Sequence, residues 1–134
     1  MKIIIAGGRD IDDYAMVEYV VEAVLTLSGL KAAEVVCGGA RGADSLGERW
    51  AEENGIPVKK FEADWTDIYA PGALPKKNPN GPGFYNARAG LDRNIKMAKY
   101  ADALIAFWDG ESRGTKHMID EAKKMNLKVF ICSV

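Results

Sequence analysis

The residues able to do chemistry in this chain are arginines and aspartates set among glycines, and they recur in short clusters. The first is "GGRD" (Gly7, Gly8, Arg9, Asp10) and the second "GGARGAD" (Gly38, Gly39, Ala40, Arg41, Gly42, Ala43, Asp44). "ADW" follows with Asp64 and Trp65, then "AGLDRN" with Arg93 and Asn94, then "WDGESRGT" from Trp108 to Thr115, which holds Ser112 and Gly114. Glycine lets a backbone approach a phosphate closely, and a helix that follows it offers unpaired N–H groups and the positive end of its dipole. Arg9, Arg41 and Arg93 would add charge-assisted hydrogen bonds to anionic oxygens. Trp65 and Trp108 offer faces on which a base can stack. The chemistry indicated is recognition of an anionic, nucleotide-like small molecule.

Each cluster also has a purely structural use. Two glycines after a first strand suit a tight turn, Gly42 would let a helix pack against a strand, and Asp44 would complement a helix dipole. Ser112 or Thr115 would cap a helix. None of these uses requires Arg41. Asp10, Asp44, Asp64 and Asp109 could offer oxygen ligands to magnesium, but their spacing matches no metal motif, so no metal or cofactor is expected. The first turn is not G-x-G-x-x-G and no G-x-x-x-x-G-K-[ST] loop occurs, which argues against a nicotinamide oxidoreductase and a P-loop NTPase. His117, the single histidine, reads as a solvated side chain. Cys37 and Cys132 each end an apolar run and read as buried, reduced thiols.

The elements that must position these clusters alternate in kind. β-rich runs at Lys2–Ala6, Glu34–Cys37, Val58–Phe61, Ala103–Phe107 and Lys128–Cys132 are separated by segments of helical period. That pattern predicts a single Rossmann-like α/β domain, 1–134, with about five parallel strands and helices on both faces. The expected helices begin near Tyr14 (closed by Gly29), after Gly42, near Asp92 and near Thr115, the last with Met118, Ile119, Ala122 and Met125 inward. The clusters then fall at the carboxyl ends of strands, where open parallel sheets bind ligands. One segment, Trp65 to Asn86, crowds four prolines with three glycines and is expected to form an irregular loop or lid. The formal net charge of -1 gives no basic surplus for holding a phosphate backbone, so a nucleic-acid partner is not expected. No apolar run approaches membrane-spanning length, and a cytoplasmic protein without membrane contact is the expectation.

Taken in order, "GGRD", "GGARGAD", "ADW", "AGLDRNIKMAKYAD", "LIAFWDGESRGT" and "MIDEA" resemble the YspA-like family of the SLOG superfamily, which takes in DprA and the LOG phosphoribohydrolases. The resemblance implies a nucleotide or nucleotide-derived ligand, sensed or sequestered, and a homo-oligomer. It also implies two alternatives. LOG enzymes pair the arginine of R-K-x-x-M with the glutamate of P-G-G-x-G-T-x-x-E to remove a base from a nucleoside monophosphate. Arg93, Asn94 and Met97 match the first motif with Asn in place of Lys, and Gly114 and Thr115 match the second. The glutamate's position is Met118, whose thioether cannot transfer a proton, leaving Arg93 with Glu111 from the neighbouring loop as the catalytic candidates for a hydrolase. The second alternative is DprA-like binding of single-stranded nucleic acid, with Arg9, Arg41, Lys76 and Lys77 on the groove.

Overall fold

The computed structural model describes all residues, 1–134. Five strands, β1 (Lys2–Gly7), β2 (Glu34–Cys37), β3 (Val58–Lys60), β6 (Ala103–Trp108) and β7 (Lys128–Ser133), form one parallel sheet in the order β3-β2-β1-β6-β7. The central runs "IIIA" and "LIAF" are apolar at every position because both sheet faces are covered. Ile3 and Ile5 face one core with Val17, Val21, Trp50 and Ala51 of α1 (Tyr14–Ser28) and α2 (Ala43–Glu53). Ile4 and Ala6 face the other, with Met97 and Ala98 of α3 (Ala89–Tyr100) and Met118, Ile119 and Ala122 of α4 (Arg113–Lys124).

The helix ends follow local chemistry. Asp13 accepts from the Met16 N–H at 3.1 Å to start α1, and Gly29, at φ 73°, ends it. α3 begins three residues earlier than expected, because Gly90, which looks like a breaker in sequence, lies under the Trp65 indole. α4 begins at Arg113 behind the Ser112 cap, and Met125, expected inside, is the exposed residue that closes it.

The proline- and glycine-rich segment departs from expectation. It contains an antiparallel hairpin, β4 (Pro75–Lys77) with β5 (Phe84–Asn86), closed by the Asn78 N–H on the Gly83 carbonyl at 2.9 Å. Three-residue strands set among prolines carry no readable period, yet proline is tolerated where Pro75 stands, at the first residue of a strand. Buried Asn86 ties the base of the hairpin down: its Oδ1 accepts from the Leu74 N–H at 3.2 Å and the Arg88 N–H at 3.0 Å. Its own N–H donates to the Trp65 carbonyl at 2.7 Å.

Candidate functional site

From β1 the chain steps outward through β2 and β3, then returns to lay β6 and β7 on the other side. The strand order therefore reverses between β1 and β6, and a crevice opens beyond their carboxyl ends. A cleft of about 420 Å³ lies there, and a recess of similar volume, about 420 Å³, adjoins it over the Gly38–Arg41 turn. The two share Arg9, Ala40, Trp65 and Arg93. The second glycine turn depends on close approach. Gly42, at φ 82°, sits where an added Cβ would lie 2.3 Å from the Gly8 carbonyl oxygen, and the next residue, Ala43, donates its N–H to that oxygen at 3.2 Å. The turn after β1 and the start of α2 are thereby held edge to edge. A Cβ on Gly38 would lie 2.2 Å from Arg93 Nη1, so the glycine makes room for the guanidinium.

Arg93 donates from Nη1 to the Gly38 carbonyl at 2.6 Å and from Nε to Asn94 Oδ1 at 3.1 Å. On the other side of Gly38, buried Asp44 Oδ2 accepts the Gly38 N–H at 3.1 Å. Burial pushes the Asp44 carboxyl up to about 6, although Arg93, the N–H groups of Gly38 and Ala40, and Arg9 all pull it down. Burial also lowers the Arg93 pKa, with Asp44 opposing, but a guanidinium starts so far above neutrality that it stays charged. At the far wall, Asp109 Oδ1 accepts the N–H groups of Glu111 and Ser112, both at 2.8 Å, which holds its pKa down and shapes the entry to α4. Met97 and Met118 lie on the cleft lining as apolar surface. Burial raises the Cys37 thiol to about 11, so it is no nucleophile at neutral pH. No group of three His, Cys, Asp or Glu side chains gathers anywhere in the fold to hold a metal.

The sequence model of the YspA, cpYpsA-related SLOG family matches residues 1–67, which carry β1 to β3 and the first three clusters. Gene 61 protein of Mycobacterium phage D29 is 35% identical over 102 residues, covering 72% of this chain and 68% of its own length. This chain belongs to the YspA, cpYpsA-related SLOG family. In fold it is similar to DNA processing protein A (DprA) from Streptococcus pneumoniae, with a TM-score of 0.69 at 18% identity over 97% of this chain. That match takes in 49% of the DprA chain, so the SLOG domain described here spans about half the length of that protein.

Within this SLOG domain the clusters separate into those that line the cleft and those that support it. Gly7, Gly8, Arg9, Asp10, Ala40 and Asp44 line it from β1 and α2. Trp65, Arg93, Asn94, Ser112, Gly114 and Thr115 complete it from the other side, while Gly38, Gly39 and Arg41 line the recess. Four expected residues stand outside both linings. Gly42 acts through its backbone, and Asp64 turns to the N–H and hydroxyl of Thr66 at 3.2 and 2.8 Å. Trp108 packs beside the second core with its indole N–H on the Ser112 carbonyl at 3.1 Å. Glu111 is exposed on the loop and lines neither hollow. His117 also differs from expectation: it is half-buried, with Nδ1 3.2 Å from Asn94 Nδ2. Leu91 and Gly90 on the lining, and Glu62 and Ala63 in the recess, do not stand out in the sequence. Their signal was adjacency to strand ends and the α3 N-terminus, without any distinctive chemistry of their own.

Proposed function

We propose that this domain binds a nucleotide or nucleotide-derived ligand through its anionic group, to sense or sequester it. The observation that carries the reading is that the N-terminal ends of α2 and α4 contribute Asp44, Gly114 and Thr115 to one cleft, which Arg9 and Arg93 also line. Helix N-termini and guanidinium groups favour the same ligand feature, a phosphate or pyrophosphate. Trp65 is 39% exposed and borders both hollows, where its indole can cover a base. Arg41 extends the cationic surface into the recess. Family membership is consistent with such a ligand without naming it.

The test is native mass spectrometry with nucleoside monophosphates, ADP-ribose, NAD and cyclic nucleotides, followed by titration of whatever binds. An adduct of intact ligand mass is expected, weakened by Arg41→Ala and by Gly114→Val. Unchanged affinity in both variants for every bound nucleotide would sink the reading.

A second reading, N-glycosidic hydrolysis, is favoured by one feature of the cleft. Asp44 supplies a lining carboxyl with a pKa of about 6 near Arg93, where Met118 cannot serve and Glu111 lies outside the lining. A carboxyl poised near neutrality is suited to general acid–base work. On this reading, free base appears in the mass spectra, and its release is abolished by Arg93→Ala and by Asp44→Asn.

A further inference from the structure

The single histidine lies outside the glycine turns, yet a short chain of hydrogen bonds joins it to them. Arg93 Nε–H can only donate, so the atom of Asn94 that it meets at 3.1 Å must be Oδ1. That fixes the Asn94 amide: Nδ2 then faces the Gly114 carbonyl at 3.3 Å and His117 Nδ1 at 3.2 Å. An amide nitrogen has no lone pair to offer, so Nδ1 must be the acceptor and the imidazole proton must sit on Nε2, which lies 3.6 Å from Glu121 Oε1. Asn94 is buried, 6% exposed, so its amide is committed mainly to these protein partners.

We propose that His117 is a positioning residue for Arg93, holding the guanidinium on the Gly38 carbonyl through the Asn94 amide, and that protonation of His117 releases it. A proton on Nδ1 would set two donors against each other at the Asn94 contact. Turning the amide over satisfies His117 but presents Nδ2 to Arg93 Nε and removes the bond to the Gly114 carbonyl. Arg93 relieves the new donor–donor contact only by leaving its seat. The groups around the imidazole divide evenly. Glu121 and Asp120 on α4 favour the protonated ring, whereas Lys124 on α4 and Arg88 at the start of α3 oppose it, and burial keeps its pKa below the ordinary value. Asn94 therefore joins the two glycine turns, and His117 decides which way its amide faces.

That this seat matters for ligand affinity rests on the binding reading above; the coupling itself does not. The chain has one histidine, so its imidazole nitrogens can be followed without ambiguity in ¹⁵N-labelled full-length protein by long-range ¹H–¹⁵N spectra. At pH 7.5, Nδ1 is expected unprotonated and Nε2 protonated. As the pH falls toward 5, the Arg93 Nε–H signal, assigned by its loss in Arg93→Lys, is expected to move in step with the imidazole. His117→Asn, whose Oδ1 takes the place of Nδ1 but does not titrate, should abolish that movement. A proton on Nδ1 at pH 7.5, or an Arg93 signal that ignores the His117 titration, would overturn the proposal, and neither result needs a ligand. With adenosine 5′-monophosphate as probe at pH 7.5, His117→Phe is expected to weaken binding about threefold to tenfold while His117→Asn stays within about twofold of the parent. Equal affinity in all three proteins would refute the positioning role. Absence of binding by the parent would count against the binding reading and leave the spectroscopic coupling to decide this one.

Discussion

At the scale of the residue, Asp44 is the least ordinary group in the protein, because it is buried as a carboxyl whose pKa lies above the unfolded value. Between 3.8 and about 6 the folded state holds a proton that the unfolded state has lost, so stability is full below that window and falls as pH rises through it. The shift corresponds to about 3 kcal/mol of stability lost by pH 7, and Asp44→Asn, which keeps an acceptor for the Gly38 N–H, should flatten the dependence. Denaturant melts of both proteins at pH 4 and pH 7 check this, and equal slopes with pH would contradict it. His117 works in the opposite sense, since its lowered pKa makes stability fall as pH drops through the imidazole range. The glycines give a second residue-scale contrast. Gly42→Ala combines a positive φ with a backbone clash at 2.3 Å and is expected to cost more than about 2 kcal/mol. Gly114→Ala meets nothing within 4 Å and should change stability by less than about 0.5 kcal/mol in the same melts.

At the scale of the element, the β4–β5 hairpin is attached to the domain chiefly at its base, through Asn86 and the Trp65 carbonyl. Its tip carries exposed Lys76, Lys77 and Phe84, while Tyr85 returns to Trp65 with ring centroids 6.5 Å apart. Asn86→Ala leaves two backbone N–H groups without their acceptor, at a cost of about 1–3 kcal/mol. The expected outcome is faster proteolysis confined to residues 66–85, with the parallel sheet intact by circular dichroism. Cleavage spread across the chain would show instead that the hairpin base is integral to the core. α3 has the larger task, since it carries Arg93 and Asn94 to the cleft on one turn and Met97 and Ala98 into the second core on the next.

At the scale of the whole molecule, no helix is long and apolar enough to cross a membrane, and the net charge of -1 leaves no basic surplus to hold a phosphate backbone. Single-stranded DNA is accordingly expected to bind weakly, and fluorescence anisotropy in rising salt checks this. Tight binding with a steep salt slope would point to the DprA-like alternative. The five parallel strands and four main helices were legible in the sequence because burial on both faces writes continuous apolar runs, and an amphipathic helix writes its own period. The glycine clusters were legible as well, since strand ends in such a sheet face one edge. The hairpin was not, because strands of three residues leave no period, and neither was the first turn of α3, hidden by Gly90. Sequence alone thus determined the layered sheet and the edge on which the glycine and arginine clusters gather. Only the tertiary structure decided that Arg93 crosses to the Gly38 carbonyl, that Asp44 is buried beside it and that His117 meets Asn94. Those contacts span up to 55 residues of chain, and which side chains share a buried pocket depends on how α3 and α4 pack against the sheet.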